Sequence, residues 1–195
     1  MNALSAVLTY LVQTLLGLFL IAMLLRFLLQ TVRADFYNPI SQFVVKLTNP
    51  LVIPLRAIIP GYAGIDFASL VLVFLLQMAG IALVFLLRLG TLPPLHSLVL
   101  GAMLGVVALL VQFYFFALLA TIILSWVAQG SRHPAILLLY QVTEPIMAPF
   151  RKLLPAMGGL DFSPIIVFIL INVIQIVISH MAAALGVLGF APWLS

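Results

Sequence analysis

The sequence contains no cysteine and very little charge. Of its 195 residues, 66% are hydrophobic and only 6% are Asp, Glu, Lys or Arg, whereas about a quarter of the residues are charged in ordinary soluble domains. A soluble fold of this size needs more charged side chains on its surface, so lipid must be the main solvent of this chain. The absence of cysteine excludes disulfides, thiolate zinc sites and iron–sulfur ligation.

The basic excess is small, and it forms no dense run. Eight Lys and Arg against four Asp and Glu give a formal net charge of +4, without the basic stripe that nucleic-acid binding requires. The histidines, His96, His133 and His180, are scattered along the chain, so we expect no metal or cofactor. Nucleophile elbows, glycine-rich phosphate loops and paired carboxylates do not occur in the sequence, so we do not expect an enzyme.

Four apolar segments are long enough to cross a membrane, which takes about 20 residues in a helix. They run from about Leu4 to Leu29, Phe67 to Leu87, Leu98 to Val127 and Pro164 to Leu185. Arg26 stands near the end of the first segment, where we expect its long side chain to snorkel towards the headgroups. The first segment has no basic region before it and is too long for a signal-peptide core, so we expect it to be retained.

The two long connections between these segments repeat one phrase, TNPLVIPLRAIIP at 48–60 and TEPIMAPFRKLLP at 143–155. When residues 39–67 are aligned without gaps on residues 134–162, nine of the 29 positions are identical, including every proline in both stretches. The repeated motif consists of Thr48, Pro50, Pro54, Arg56, Pro60, Gly64 and Asp66 in the first copy, and of Thr143, Pro145, Pro149, Arg151, Pro155, Gly159 and Asp161 in the second. The chain is therefore a tandem duplication, with one unit at 1–92 and the other at 96–190.

Each long connection predicts a short interfacial helix and then a proline-kinked segment. In the first copy, Asn38 is the expected N-cap, and an apolar face lies opposite Ser41, Gln42 and Lys46. That face consists of Ile40, Phe43, Val44 and Leu47. Prolines four residues apart cannot sit in an undisturbed helix, so we expect a second short helix that the prolines open, kink and end, with a threonine near its cap. The glycine then provides a turn, and the aspartate caps the next span.

Two spans per unit make both units enter the membrane from the same side, as parallel repeats. The sequence thus predicts an all-α membrane protein with four transmembrane helices in two tandem parallel repeats. The long connections carry most of the basic residues: Arg33, Lys46, Arg56, Arg132, Arg151 and Lys152. The positive-inside rule then predicts cytoplasmic long loops and periplasmic termini in a bacterial inner membrane.

This duplicated block of proline, arginine, glycine and Asp-Phe between apolar spans resembles the YggT (YlmG) family of bacterial membrane proteins, in its two-repeat form. The resemblance covers nearly the whole chain. It implies an integral membrane protein without an established catalytic activity, linked to tolerance of osmotic shock and ion stress, to the neighbourhood of cell-division genes and to nucleoid or septum organisation. Plastid relatives are linked to haem attachment in cytochrome b6 maturation. Transfer of any of these roles rests on analogy.

The charges present in both copies admit two interpretations. Arg56 with Asp66, and Arg151 with Asp161, could form an ion or headgroup site or a docking surface. The sequence favours a structural pair that ties the kinked segment to the next span. A weaker alternative is binding of lipid headgroups at Arg56, Arg151 and Lys152, worth about 1 kcal/mol for each basic residue near an anionic surface.

Polar residues inside the spans also admit two interpretations. Gln77 and Asn172 are equivalent positions of the two units, and Gln175 extends a polar stripe from Asn172 on the last span. Such residues could line a solute path, or they could form helix–helix hydrogen bonds of about 0.6–2 kcal/mol each. The second reading is favoured because no charged residue lies in mid-span. Gly101 and Gly105, in a small-xxx-small pattern, predict a packing face within the chain or between subunits.

The sequence therefore favours a non-enzymatic structural or assembly factor that supports envelope or osmotic stress tolerance. The alternative is a small channel or transporter for ions or osmolytes, with its path between the repeats. The expected partners are the lipid bilayer and a second protein, either another copy of this chain or another membrane protein.

Overall fold

The computed structural model describes residues 3–62, 64–128, 130–153 and 161–194. These residues form six helices: α1 Ala3–Thr31, α2 Pro39–Arg56, α3 Phe67–Leu89, α4 Leu95–Val127, α5 Pro134–Leu153 and α6 Ser163–Ala184. Four of them, α1, α3, α4 and α6, are long and apolar enough to cross a membrane. The all-α fold class and the four predicted spans are confirmed, with ends that differ by no more than three residues.

The four long helices pack in the order α1, α3, α4 and α6, with α2 and α5 at their ends. The two units meet where α3 packs against α4, and α6 contacts only α4 and α5 among the described helices. Fully buried side chains concentrate on α1, α3 and α4, as at Leu20, Ile81 and Leu109. Apolar residues elsewhere on the spans are exposed, as expected for surfaces that face lipid rather than water.

Each long connection contains one continuous helix, so the prediction of two short helices is wrong. Helix α2 has 18 residues and contains Pro50 and Pro54, and α5 has 20 residues and contains Pro145 and Pro149. Residues four apart lie on the same face of a helix, and all four prolines are exposed. Both disturbances of each helix therefore fall on its outer face, so the helix continues past them.

The two threonines predicted as caps lie inside these helices instead. The Thr48 hydroxyl donates to the Val44 carbonyl at 2.6 Å, and the Thr143 hydroxyl donates to the Leu139 carbonyl at 2.9 Å. Such bonds from a side chain to the carbonyl four residues earlier are common in bent helices. The carbonyls that lose an N–H donor to Pro50 and Pro54 are those four residues earlier, so the threonine hydroxyls do not replace the hydrogen bonds that the prolines remove.

We call α2 with Asp66 the first elbow and α5 with Asp161 the second elbow. The ends of these two helices confirm some predictions and correct others. Asn38 caps α2 through a 2.9 Å hydrogen bond from Ile40 N–H, as predicted. Helix α2 ends at Arg56, four residues before Pro60, and not at the proline. Gly64 has φ of +84° in the tight turn that follows, a conformation that glycine adopts without steric cost. Pro155 and Gly159 lie outside the described residues.

The prediction for the buried face of α2 is wrong in part. Val44 is buried as predicted, but Phe43 and Leu47 are exposed, and Ser41 from the predicted polar face is buried together with Thr48. The exposed apolar side chains are suited to contact lipid, because the helix lies against the ends of the spans rather than in water. The polar side chain of Ser41 therefore points into the protein, where it meets α1.

The residues that follow α6 fold back into the helix bundle. Val187, Ala191 and Leu194 are buried, and Trp193 packs against Gly17 in the middle of α1. Gly186 and Gly189 adopt φ of +69° and +74°, which allows the tight turns of this segment. Non-helical backbone at membrane depth is tolerated where protein encloses it, and this segment meets that condition.

Candidate functional site

A buried arginine joins the first span to the first elbow helix. Arg26 is only 4% exposed, so it does not snorkel as predicted. Its Nη1 donates to Thr48 Oγ1 at 2.7 Å, to Asn49 Oδ1 at 2.8 Å and to the Val45 carbonyl at 3.2 Å. Arginine can be buried in this way because its several N–H donors meet matching acceptors.

The repeated Arg56 and Asp66 form a bidentate ion pair beside Arg26. Arg56 Nη2 lies 2.5 Å from Asp66 Oδ2, and Arg56 Nε lies 3.2 Å from Asp66 Oδ1. The Asp66 carboxylate is fully buried and also lies 3.7 Å from Arg26 Nε. The Arg56 Nη2 group reaches Gln30 on α1 as well, at 2.6 Å. This network ties α1, α2 and the start of α3 together, which is the structural arrangement that the sequence favoured for the pair.

Asp66 also caps α3, as predicted. It accepts hydrogen bonds from Ser69 N–H at 3.3 Å and from the Ser69 hydroxyl at 2.6 Å. Burial alone would raise the pKa of the Asp66 carboxyl, but the hydrogen bonds from Arg56 and Ser69 and the charge of Arg56 outweigh it. The pKa is therefore below its usual value, and Asp66 is ionised at neutral pH.

The second elbow has the same ion pair in a different setting. Arg151 Nε lies 3.0 Å from Asp161 Oδ2, and Arg151 Nη1 lies 2.6 Å from Glu144 Oε2. The side chains here are 38–53% exposed. Burial opposes the charge of Arg151, but hydrogen bonds to Asp161 and Glu144 raise its pKa above the usual value. Because such exposed pairs contribute about 0–1 kcal/mol each, this elbow is the weaker of the two.

Asp161 is not the cap of α6, which corrects the sequence prediction. Helix α6 begins at Ser163, and Phe162 occupies the cap position without a side-chain hydrogen bond. Asp161 still accepts a 2.9 Å hydrogen bond from Ser163 N–H. Desolvation would raise the pKa of this carboxyl, but hydrogen bonds from Ser163 and the neighbouring Arg151 hold it below the usual value.

The two elbows differ in charge because their other polar residues were not duplicated. The position that matches Arg26 is Thr121, and the one that matches Asn49 is Glu144. The first elbow therefore joins two arginines to one aspartate, and the second joins one arginine to two carboxylates. Similar backbones thus hold a charge of +1 in one unit and −1 in the other.

A cavity lies beside each ion pair, between a span and an elbow helix. The first has a volume of about 370 Å³, and its walls include Arg26, Arg33 and Arg56. The second has a volume of about 410 Å³, and its walls include Arg151 and Asp161. Four wall residues of the first cavity match wall residues of the second that lie 95 positions later: Arg26 with Thr121, Gln30 with Ser125, Val45 with Tyr140, and Arg56 with Arg151.

The polar residues of the spans have different surroundings. Gln77 is buried where α3 meets α4, with its amide against Gly105. Its equivalent Asn172 is exposed on α6 and donates to the Phe168 carbonyl of its own helix at 2.7 Å. Gln175 instead donates to Gln112 on α4 at 3.2 Å. Gly105 packs against Gln77, and Gly101 packs against Val187, so both glycines of the small-xxx-small pattern pack within the chain.

The family model for CCB3/YggT proteins matches two stretches, residues 5–87 and 100–182. The chain belongs to this family. An uncharacterized protein of Pseudomonas aeruginosa is 50% identical over 188 residues, which cover 95% of each chain. An uncharacterized YggT protein of Escherichia coli K12 is 41% identical over 179 residues, covering 92% of this chain and 93% of its own. No solved structure matches the chain.

In this YggT-family protein, sequence reasoning missed three residues of the first elbow cavity. The sequence predicts a snorkelling side chain for Arg26, and the repeat gives no further signal because the equivalent residue is a threonine. The sequence pattern puts Ser41 on the polar face of α2 and Arg33 only among the basic residues of the long connections. The sequence feature that could have indicated this cavity is the presence of three arginines within residues 26–56, around one connection.

Proposed function

We propose that this protein is a non-enzymatic structural or assembly factor of the bacterial inner membrane that supports envelope or osmotic stress tolerance. The observation that carries the proposal is the way in which the polar residues of the spans are used. Gln112 and Gln175 hydrogen-bond to each other across α4 and α6, and Gln77 packs between the two units, although its amide makes no hydrogen bond within the described residues. Such residues fasten helices together.

The elbows support the same proposal. In the first, Arg26, Arg56 and Asp66 fix the elbow helix to two spans, which makes a rigid platform at the membrane surface. In the second, Arg151 and Glu144 remain exposed and available to another protein. The positive-inside rule places both elbows on the cytoplasmic face. We therefore propose the second elbow as the surface that docks a partner, either another copy of this chain or another membrane protein.

A channel or transporter for ions or osmolytes is the second candidate, and one observation favours it. A cavity of about 230 Å³ lies between α4 and α6, with Gln112, Gln175 and Ser179 in its wall. Gln77 lines a separate cavity of about 10 Å³, and Trp193 lies in the walls of both. A conducting path through the two cavities would have to pass this tryptophan.

Ion flux in proteoliposomes of the purified protein tests the two candidates. The wild type is compared with Gln112→Leu/Gln175→Leu and with Trp193→Ala under K⁺, Na⁺ and H⁺ gradients. The scaffold proposal predicts flux no higher than in empty liposomes for all three proteins. Flux in the wild type that the double substitution abolishes, while Asn172→Leu on the outer surface leaves it unchanged, would replace the scaffold by a transporter.

Survival of a deletion strain after hyperosmotic shock tests the cellular role. We expect the wild-type gene to restore survival, and Glu144→Ala/Arg151→Ala to restore less of it at equal membrane levels. The matched control is Lys46→Ala, which removes a charge from the first elbow helix without breaking an ion pair within the described residues. Equal rescue by the two variants would argue against docking at the second elbow.

A further inference from the structure

The first elbow cavity collects positive charge that the described residues do not neutralise. Its wall contains the side chains of Arg26, Arg33 and Arg56, and Asp66 is the only carboxylate in an ion pair with any of them in the described chain. Three arginines against one paired carboxylate leave an excess of positive charge at this cavity. Asp35, which lies between the wall residues Ala34 and Phe36, adds a negative charge that forms no ion pair within the described residues. Such an excess next to apolar walls attracts anions strongly, because the low local dielectric weakens screening.

Two donors at this cavity make no hydrogen bond in the described part of the chain. Nη1 of Arg26 is occupied by three acceptors, but its Nε makes no hydrogen bond and lies 3.7 Å from the nearest carboxylate oxygen. The hydroxyl of Ser41, a residue only 3% exposed, is also unpartnered. Buried polar groups are nearly always hydrogen-bonded. Unused donors on a cationic wall are suited to an anionic acceptor.

Arg33 adds a third donor from an unusual backbone position. It follows the end of α1 with φ of +52°, and the Ala34 N–H bonds to the Leu29 carbonyl at 2.8 Å. This is the helix ending in which glycine normally occupies the left-handed residue. A bulky residue in that conformation is strained, and the matching residue in the second unit, Ala128, has φ of −122°. The arginine is therefore kept at a position where the backbone favours glycine.

We propose that this cavity binds a phosphate group, which Arg26, Arg33 and Arg56 would hold with Ser41 as an additional donor. The planar, multiply donating guanidinium groups match phosphate oxygens in pairs. The excess of positive charge favours an anionic ligand. The volume of about 370 Å³ is many times the share of one water molecule, about 30 Å³, so the phosphate can carry an ester substituent. Leu29 and Phe36 provide apolar wall for one.

The second unit provides an internal comparison. Its cavity is of similar size, but Asp161 lies in the wall and Glu144 bonds to the same Arg151. A net charge of −1 there repels phosphate. The proposed site therefore belongs to the first unit alone, and it is independent of the scaffold role proposed above.

Binding to the purified full-length protein in dodecyl maltoside tests the site. The probes are inorganic phosphate, measured by equilibrium dialysis, and phosphatidic acid, measured by native mass spectrometry. Diacylglycerol, which has the same chains without the phosphate, is the matched control lipid. Binding of inorganic phosphate identifies the free anion as a ligand, whereas binding of phosphatidic acid without inorganic phosphate identifies a lipid headgroup. Binding of both also supports the site, since phosphate is the shared group.

Variants assign the binding to this cavity. Arg33→Gly removes a donor and relaxes the backbone, so we expect a melting temperature that is unchanged or higher while binding weakens about tenfold to hundredfold. Ser41→Ala should weaken binding about threefold to tenfold. Arg132→Gly, which removes an exposed arginine that lines neither elbow cavity, should have no effect. Absence of binding by both probes would overturn the proposal, as would equal weakening by Arg33→Gly and Arg132→Gly.

Discussion

Replacing Asp66 by asparagine should destabilise this protein far more than the same change at the equivalent Asp161. Asp66 is fully buried and serves two arginines, one of which, Arg26, is itself buried. An amide keeps the shape but removes the negative charge, and its NH₂ group would face the donors of Arg56. Removing one partner of a buried ion pair costs about 3–5 kcal/mol, because the remaining charge is left uncompensated. Arg56 is 39% exposed and water can screen it, so we expect the lower end of this range, about 3 kcal/mol, which comes mainly from the buried Arg26.

The change at Asp161 should be mild for reasons that the second elbow makes clear. Its carboxylate is 38% exposed and its partner Arg151 is 42% exposed. Water can solvate the arginine when the aspartate is lost, and Glu144 still lies 2.6 Å from it. Exposed pairs contribute about 0–1 kcal/mol. The difference between the two equivalent substitutions should therefore be at least about 2 kcal/mol.

Unfolding by SDS in mixed micelles measures this difference. The fluorescence of Trp193, which packs against Gly17 in the core, reports the transition. Far-ultraviolet circular dichroism should be the same for the wild type and both variants before SDS is added. Arg26→Met in the Asp66→Asn background should recover part of the loss, because it removes the stranded charge. Equal free-energy losses for the two asparagine variants would refute the claim that burial separates the elbows.

Three further predictions concern Asp66, Gly105 and Trp193. The folded pKa of Asp66 is below its ordinary value of 3.8, so the stability that this carboxylate contributes is present above that value and is lost as pH falls through the folded pKa. When the free energy of unfolding is measured against falling pH, it should therefore decline less in Asp66→Asn than in the wild type. Gly105→Ala should lower the free energy of unfolding in SDS by about 1–3 kcal/mol, since its Cβ would collide with the buried Gln77 amide. The control Val107→Ala, on the exposed face of α4, should lower it by less than about 1 kcal/mol. Trp193→Ala should lower the free energy of thermal unfolding by about 2–4 kcal/mol, because it leaves a void between two cavities. A loss under about 1 kcal/mol would show that the C-terminal segment contributes little to stability.

The sequence predicted the spans and repeat because each depends on a strong local signal. Apolar runs of more than 20 residues can only be membrane helices or a very large core. Asn38 and Asp66 were predicted as caps because a short polar side chain before an apolar run has few other uses. Gly64 was likewise predicted in a turn. None of these inferences needed knowledge of which helices touch.

The course of the elbow helices could not be predicted, because it depends on contacts from another part of the chain. Proline predicts the loss of a backbone hydrogen bond but not what replaces it. Arg26, which comes from a span 22 residues before Thr48, supplies donors to Thr48, Val45 and Asn49 and so holds α2 in place. Tertiary packing of this kind routinely overrides local preference.

The different fates of Gln77 and Asn172 show how a duplicated sequence becomes asymmetric. In a chain of four spans, α3 has neighbours on both sides, α1 and α4, whereas α6 ends the row. The same polar position is therefore buried in the first unit and exposed in the second. Asn172 satisfies its amide on the Phe168 carbonyl, which makes it tolerable in lipid without a partner helix. The elbows differ as well, because Arg26 and Asp66 of the first are buried, whereas Glu144, Arg151 and Asp161 of the second are exposed. Sequence identity between repeats thus predicts a shared backbone, while the neighbouring residues decide which polar groups of each copy are buried.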